Sequence, residues 1–548
     1  MDSSPEQEQP RKGKHRLPPK SVFLYFSFFL FIFFFCSSNH SFYSHPSLPS
    51  STFATPFPLT LPIPLHVHHR IIFPDHLLLT LSHPEILPSH QLHCVYYTLL
   101  NASTNPLLLP LLSTDRYDEF RSIARCPLPG TNFSAVDLSW RGENDHRDFQ
   151  VPMKATPHNW ENLTYEAFLD NDTVVVFVKG LNLRPHRVSD ASLFRCHFGV
   201  RNEAFWLTSK AVSAAQEVVR CALPQSIRNS PDKARGLSIS VSHVRRREVA
   251  IPSVARIGGG EKTSTGKEKR FELCACTMVW NQAGSMREWV MYHAWLGVER
   301  WFIYDNNSDD GIDEVVRELE DKGYNISRVT WPWVKSQEAG FSHCVLRAKE
   351  ECKWVGFFDV DEFFYFYKMQ RNVLRSMVAN FSSSNSVAEI RTGCHNFGPS
   401  GLTTHPKQGV AVGYTCRLRT PERHKSIVRP DLVDVSLLNV VHHFEVRKGF
   451  GSRNVPLSVA VINHYKYQVW DTFKAKFLRR VATYVVDWKE DVNIGSRDRA
   501  PGLGTQAIEP RDWRLRFCEV WDTRLKDFLL SKFCDPLTGL LPWESSSE

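Results

Sequence analysis

Three acidic residues interrupt an aromatic run that otherwise has the pattern of a buried strand, WVGFFDVDEFFYF at residues 354–366. They are Asp359, Asp361 and Glu362, and burying a carboxylate costs several kcal/mol unless a cation or hydrogen-bond donors compensate it. Asp359 and Asp361 are predicted to end the strand on one face, because strand residues two apart share a face. Two carboxylates at this spacing suit Mn²⁺ or Mg²⁺, although Asp-x-Asp is common and a turn-capping role is the alternative.

The segments before these acids alternate between strand and helix patterns. FELCACTMVW, RWFIYDN, ISRVTWPW and KWVGFFDVDEFF have strand patterns, and a helical pattern lies in each of the three gaps between them. The first helix is predicted to begin at a capping box of Ser285 and Glu288 and to end at Gly297. This βαβαβαβ series predicts a mostly parallel α/β sheet over residues 271–490, with ligands bound at the carboxyl ends of its strands.

The remaining segments predict a multidomain chain. Short β-rich runs separated by turns indicate a sandwich-like accessory domain at residues 91–255, and a Gly- and Lys-rich linker follows at residues 256–270. Residues 39–90, rich in Pro, Ser and His, indicate an extended stem without secondary structure. Residues 491–548 have helix-like patterning and are interpreted as a packed C-terminal extension.

The N-terminus predicts a membrane anchor. A basic tail at residues 1–20 precedes an uncharged apolar run at residues 21–38, which is at the short limit of a transmembrane helix. No small-residue cleavage site follows directly, so an uncleaved anchor is favoured over a signal peptide, with the basic tail in the cytosol.

Other features agree with a secretory compartment. Of the 13 cysteines, all but Cys36 follow the apolar run, and geometry argues against the local pairs Cys274–Cys276 and Cys344–Cys352. A net charge of +8 makes nucleic-acid binding a weak interpretation. The N-x-S/T glycosylation acceptors are Asn39, Asn101, Asn132, Asn162, Asn171, Asn306, Asn325 and Asn380.

Three stretches together resemble glycosyltransferase family 92, the former domain-of-unknown-function 23 group that includes plant galactan synthases. They are REWVMYHAWLGVERWFIYDNNSDDG, FFDVDEFF and INHYKY, and the resemblance covers about residues 271–480. It implies a GT-A fold, a nucleotide-sugar donor that is commonly UDP-galactose, dependence on Mn²⁺, an inverting mechanism and a type II membrane protein of the Golgi. In the galactan synthases a β-sandwich of carbohydrate-binding type precedes the catalytic domain, which agrees with the β domain predicted here.

The resemblance also implies roles for the three acids. A divalent cation that bridges both phosphates makes a nucleoside diphosphate a better leaving group. Asp361 would bind this metal, and Asp359 would bind the metal or the ribose. Glu362 would orient the donor sugar or support a metal ligand.

Assignments further from this motif each have a structural alternative. His464 is the preferred late metal ligand and His442 the second choice, against hydrogen-bonded core histidines. Asp305 would meet the nucleoside or cap its own turn. Lys425 and Arg429 would contact the diphosphate or lie in solvent.

The acceptor side is less defined. An inverting transferase needs a carboxylate base, but no pattern selects among the four carboxylates of the expected acceptor region, which are Glu422, Asp431, Asp434 and Glu445. Trp331 and Trp333 are the better candidates for stacking on a sugar, whereas Trp289 is predicted to lie in the core.

The predicted function is a metal-dependent transferase in the Golgi lumen, which moves a sugar, with galactose favoured, from a UDP donor to a growing glycan or cell-wall polysaccharide. Mn²⁺ is the expected cofactor and Mg²⁺ the alternative, and a homodimer is left open. The alternative from another class is a membrane-anchored carbohydrate-binding protein with a silent second domain. A haloacid-dehalogenase-like phosphatase is weaker, because its Asp-x-Asp usually opens the domain and precedes Thr or Val, whereas Glu362 and Phe363 follow here.

Overall fold

The computed structural model describes residues 65–97, 106–142, 156–201, 204–245, 249–259, 269–440, 442–476 and 509–544. The predicted basic tail, the predicted anchor and most of the predicted stem lie outside these residues. Within the described ranges, no helix is both long enough and apolar enough to cross a membrane.

The first part of the described chain is built from strands. One sheet has the order β5-β6-β2-β1-β8, a second has β4-β3-β7, and a third has β14-β11-β12-β13-β10-β9-β15. Disulfides Cys94–Cys126 and Cys196–Cys221 join β3 to β6 and β11 to β13. The strands are β1 (Val67–Ile72), β2 (His76–Leu81), β3 (Leu92–Tyr97), β4 (Leu107–Pro110), β5 (Ser113–Arg116), β6 (Ser122–Pro127), β7 (Ala135–Trp140), β8 (His158–Asn159), β9 (Thr164–Asp170), β10 (Thr173–Val178), β11 (Phe194–Arg201), β12 (Ala204–Ala215), β13 (Val218–Ala222), β14 (Ile239–His243) and β15 (Ile257–Gly258).

Strands β1 and β2 lie inside the segment for which a stem without secondary structure is predicted. All six residues of β2, HLLLTL, are buried, so this strand lacks the alternation of polar and apolar residues that marks a half-exposed strand. The stem prediction is therefore wrong for this part of the chain, because a strand covered on both faces has no period to detect.

The second part of the described chain alternates helices with strands. Its helices are α1 (Ala283–Leu296), α2 (Ile312–Asp321), α3 (Gln337–Glu351), α4 (Val373–Ser382), α5 (Val410–Gly413) and α6 (Arg524–Phe533). Its strands are β16 (Phe271–Val279), β17 (Arg300–Asp305), β18 (Ile326–Thr330), β19 (Cys352–Phe357), β20 (Glu362–Phe366), β21 (Val387–Asn396), β22 (Cys416–Arg417), β23 (His424–Val428), β24 (Asn439–Val440), β25 (His443–Phe444), β26 (Gly451–Asn454), β27 (Ala460–His464) and β28 (Val520–Trp521).

Nine of these strands form one sheet in the order β18-β17-β16-β19-β23-β21-β27-β20, with β26 beside β21. Strands β18, β17, β16 and β19 are parallel, as the βαβ series predicts. The pairings of β23 with β19 and β21 are antiparallel, as is that of β20 with β27. The predicted α/β class is confirmed, and the sheet is mixed beyond β19.

Four cysteines fasten the parallel half of the sheet. Cys274 pairs with Cys352, and Cys276 pairs with Cys344, so β16 is joined to both β19 and α3. The prediction that neither local pair forms is confirmed. A further disulfide, Cys416–Cys518, joins β22 to the C-terminal segment, where β28 pairs with β22.

Helix α1 begins differently from its prediction. Its N-cap is Gln282, and the Glu288 carboxylate accepts the backbone N–H groups of Val410 at 2.9 Å and Ala411 at 3.0 Å, at the start of α5. The capping-box prediction is wrong, because a distant helix takes the carboxylate that the local pattern assigns to α1. Gly297 ends the helix as predicted, with φ at 104°.

The predicted fourth strand is in fact two strands separated by a turn. β19 ends at Phe357 inside the sheet, and β20 begins at Glu362 on the far side of β27. The Glu362 N–H donates to the Asp359 carbonyl at 3.0 Å, and the Asp359 N–H donates to Glu362 Oε2 at 2.8 Å. These two bonds close the turn that carries all three acids.

Candidate active site

The three acids lie where the parallel strands end. Glu362 is fully buried, Asp361 is 2% exposed, and the Asp359 side chain is 31% exposed. β17 ends at Asp305 beside the same edge, because parallel strands present their carboxyl ends together. The acids therefore lie at the predicted edge of the sheet. They occupy the turn between β19 and β20, however, and not the end of a strand.

A buried lysine compensates two of the acids. Lys425 of β23 is 8% exposed, and its Nζ lies 2.8 Å from Asp359 Oδ2 and 2.9 Å from Glu362 Oε1. Nζ also lies 2.7 Å from His442 Nε2. The positive charge that the aromatic run requires is thus at least partly an ammonium of the chain itself.

Burial and these contacts set the charge of each group. Burial opposes ionisation of Asp359, but Lys425 and His442 outweigh it and hold the pKa of Asp359 well below its usual range. Burial, reinforced by the charges of Asp359 and Asp361, raises the pKa of Glu362 to about 8 against the attraction of Lys425. Burial and then Lys425 lower the pKa of His442 to about 4. At neutral pH the cluster therefore contains ionised Asp359, charged Lys425, neutral His442 and largely protonated Glu362.

Asp361 has different neighbours. Its Oδ2 lies 3.7 Å from His464 Nε2 and bonds to the ammonium of Lys476. His464 Nδ1 lies 3.6 Å from Glu362 Oε1, and burial lowers the pKa of His464 well below its usual value.

These neighbours decide which residues fit a divalent cation. A carboxylate oxygen beside a neutral imidazole nitrogen is a donor set suited to Mn²⁺, so Asp361 and His464 fit. One oxygen of each aspartate already contacts an ammonium, Asp359 Oδ2 that of buried Lys425 and Asp361 Oδ2 that of the partly exposed Lys476. Within the described ranges, no three His, Cys, Asp or Glu side chains are grouped closely enough to enclose a metal ion by themselves.

Asp305 is occupied by structural contacts. Its Oδ1 accepts the Ser308 N–H at 3.0 Å, and its Oδ2 accepts from Arg328 Nε at 2.8 Å. Arg328 also binds Asp115 of β5 at 2.9 and 2.6 Å. The turn-capping alternative is the role that the structure shows.

Arg429 does not join the acids. Its guanidinium lies 5.8 Å from the ring centre of Trp354, near the opposite end of β19. Because β23 runs antiparallel to β19, the four residues from Lys425 to Arg429 carry Arg429 roughly 13 Å away along the strand.

Trp331 and Trp333 are core residues and not an exposed sugar platform. Each is 1% exposed, and Trp333 stacks on Trp160 with ring centres 5.5 Å apart. The sugar-stacking prediction is wrong, because residues of the N-terminal strands cover both rings. Trp289 is fully buried, as predicted.

Lys476 is the contact that sequence reasoning missed. It follows His464 by twelve positions, outside any motif that we recognised in the sequence. The only signal for it was the general requirement that buried acids have a positive partner.

Comparison with known proteins places this arrangement in a family. A sequence profile described as Glycosyltransferase family 92 matches residues 269–493. A glycosyltransferase family 92 protein of Ricinus communis is 54% identical over 99% of this chain and 100% of its own length. One of Arabidopsis thaliana is 56% identical over 88% of this chain and 86% of its own length. The chain belongs to glycosyltransferase family 92, and its enzyme class is glycosyltransferase.

Two more distant matches have names that state a particular transferase activity. A galactan beta-1,4-galactosyltransferase of Arabidopsis thaliana is 31% identical over 25% of this chain and 29% of its own length. Among solved structures, a mannosyltransferase of Pyrobaculum calidifontis in complex with GDP-Man and Mn²⁺ has a TM-score of 0.26 and 11% identity, covering 40% of this chain and 65% of that one.

Proposed function

We propose that this glycosyltransferase moves galactose from UDP-galactose to a growing glycan or cell-wall polysaccharide, with inversion at the transferred carbon and with a divalent cation, Mn²⁺ or Mg²⁺. The observation that carries the proposal is the buried turn of Asp359, Asp361 and Glu362 beside His464, in a family 92 chain. The galactan galactosyltransferase among its relatives supports galactose as the sugar.

The side chains of the turn have distinct roles in this proposal. Asp361 and His464 would hold the cation, which when bound neutralises the charge of the leaving diphosphate. Lys425 keeps Asp359 ionised and fixed in position. Glu362 closes the turn, with Oε2 accepting the Asp359 N–H and Oε1 beside Lys425, and so positions the two aspartates. Lys476, with 36% of its side chain exposed, is near enough to the turn to attract a phosphate.

The proposed location is the Golgi membrane, with a single span at residues 21–38 and the catalytic part in the lumen. The apolar run and the five disulfides among the described residues support an oxidising, membrane-bounded compartment. Asn306 is an exception among the N-x-S/T acceptors, because it is 5% exposed and its amide donates to the carbonyls of Trp331 and Trp333.

The test is UDP release by the full-length chain, made in a secretory host, with a panel of UDP-sugars and galactan oligosaccharides as acceptors. We expect turnover selective for UDP-galactose, lost on chelation with EDTA and restored by Mn²⁺. Asp361→Asn should lower the rate by at least about 100-fold, since it weakens the cation site. The matched control, Glu314→Gln, changes an exposed carboxylate on α2 and should not affect the rate. Turnover that persists in EDTA would contradict the metal requirement.

The carbohydrate-binding alternative is supported by one observation. Trp206 of β12 is 56% exposed, and its indole lies so close to Gly199 of β11 that a Cβ there would collide with it. One face of the ring is thus available to stack on a pyranose. If the second domain were silent, Mn²⁺ with UDP would not raise the Tm of the chain, whereas a working donor site would raise it.

A further inference from the structure

Three polar residues lie side by side across the edge of the sheet that carries the acids. Glu362 of β20 pairs with His464 of β27, and His464 pairs with Asn396 of β21. Paired residues on neighbouring strands lie about 5 Å apart, so the row extends roughly 10 Å from Glu362 to Asn396. It runs from the predicted donor site toward the segment that follows β21.

Glu422 is fixed to the far end of this row. Asn396, which is 3% exposed, donates from Nδ2 to Glu422 Oε2 at 2.8 Å. The Glu422 backbone N–H also donates to the Cys394 carbonyl at 2.9 Å. The Glu422 side chain is exposed, and it forms no ion pair with any part of the chain that the structure describes. One carboxylate oxygen is therefore positioned by the protein while the group remains open to a substrate.

The other carboxylates of the expected acceptor region are placed differently. Asp431 is paired with Lys269. Asp434 Oδ1 accepts from the Ser436 N–H at 2.9 Å and its hydroxyl at 2.6 Å. Glu445 is exposed and follows buried Phe444, so strand alternation directs its side chain away from the core. Of these four candidates, Glu422 is the one connected to the row of His464 and Glu362.

We infer that Glu422 is the catalytic base of the transfer, a role that rests on the proposed inverting function. An acceptor hydroxyl gives its proton to the Glu422 carboxylate while its oxygen forms a bond to the anomeric carbon of the donor sugar. The bond from that carbon to the nucleoside diphosphate breaks, and the diphosphate leaves with the electron pair. Asn396 is a positioning residue that holds the carboxylate toward the acceptor.

The test compares full-length wild type with Glu422→Gln and Glu422→Ala, using UDP-galactose and a galactan oligosaccharide. We expect Glu422→Gln to lower kcat by about 100-fold or more, since general bases contribute 10²- to 10⁴-fold. The KM for UDP-galactose and the rise in Tm with Mn²⁺ and UDP should stay within about twofold of wild type, because the base contacts the acceptor and not the donor. These two readouts also show that the variant is folded.

Sodium azide provides the second measurement. Azide is already an anion and needs no base, so it should restore donor consumption in Glu422→Ala and yield the glycosyl azide of inverted configuration. A kcat of Glu422→Gln within threefold of wild type would overturn the inference but leave the proposed function unaffected. So would loss of transfer in Glu445→Gln with transfer retained in Glu422→Gln. Wild type that transfers from no donor would overturn the proposed function together with the inference.

Discussion

At the scale of single residues, the main finding is that an ammonium lies among the acids. Lys425 contacts Asp359, Glu362 and His442 within 2.9 Å and is almost excluded from solvent. Buried ion pairs gain little over apolar packing, but removing one partner leaves an uncompensated charge inside the protein. Lys425 is therefore a structural requirement of the turn as well as a feature of the site.

Replacing Lys425 with Met should destabilise the folded chain by about 3 kcal/mol, because Asp359 would lose its main counter-charge in a buried setting. The measurement is chemical unfolding followed by tryptophan fluorescence at pH 7. The matched control is Lys322→Met, which removes an exposed partner of Glu318 and should change stability by less than about 0.5 kcal/mol. Equal stability of Lys425→Met and Lys322→Met would contradict this assignment.

The sequence singles out the three acids, but it cannot assign their partners. Asp359 and Asp361 are visible because a carboxylate inside an apolar run is chemically unusual. The sequence predicts that Lys425 contacts the diphosphate and that Trp331 stacks on the sugar. Residues distant in sequence surround both side chains, and the local pattern does not show them. Pairing and burial of this kind arise only when separate strands come together.

At the scale of elements, α5 depends on a residue of α1. The four-residue helix Val410–Gly413 has its N-terminal N–H groups bound by the Glu288 carboxylate. Gly409 precedes α5 with φ at 103°, and a Cβ there would lie 2.5 Å from the Glu288 carboxylate. The close approach shows how tightly the two helices are fitted together.

This contact makes stability depend on pH. Burial raises the pKa of Glu288 to about 8, against the backbone N–H groups, from 4.5 in the unfolded chain. Between these values the unfolded chain releases the proton while the folded chain retains it, so Glu288 makes the free energy of unfolding fall as pH rises, by about 1.4 kcal/mol per pH unit. The Tm of wild type should thus decline relative to that of Glu288→Gln between pH 5 and pH 8. A constant difference in Tm across this range would show that Glu288 is ionised in the folded chain.

The local periodicity of apolar residues was sufficient to predict some helices and strands but not others. It predicted α1, α2, α3 and the parallel strands, because each has a regular apolar face or run. It missed β1 and β2, which are covered on both faces, and it fused β19 with β20. The break between those two strands depends on the side chain of Glu362 reaching back to the Asp359 N–H, which no propensity describes.

At the scale of the whole molecule, the N-terminal strands are part of the same core as the α/β sheet. Trp160 and Tyr165 pack on Trp333, with ring centres 5.5 and 5.1 Å apart. Arg125 donates to Asn307 at 3.0 and 2.8 Å, in the loop that follows β17. The N-terminal strands therefore support the loop that follows β17, at the edge of the sheet where the acids lie.

Removing residues 2–268 should leave the α/β part unable to fold as a soluble monomer, because Trp331, Trp333 and Phe302 would lose the side chains that cover them. Removing only residues 2–63 should leave this core intact. Each form is given a cleavable signal peptide so that it is secreted, and size-exclusion chromatography of the two products provides the measurement. A monodisperse product from the larger deletion, with the Tm of the smaller one, would show that the α/β part is independent.

The disulfides also differ in how much of the chain must be made before each of them can close. Cys416 and Cys518 are 102 residues apart, whereas Cys274–Cys352 and Cys276–Cys344 span 78 and 68 residues. A bridge cannot close before its second cysteine has been added to the chain, so Cys416–Cys518 is the last of the five described bridges that can form. The pairs around β16 can close much earlier, on a partly made chain. A chain that stops between Cys352 and Cys518 can therefore hold both bridges of β16, while Cys416, where it is present, has no partner.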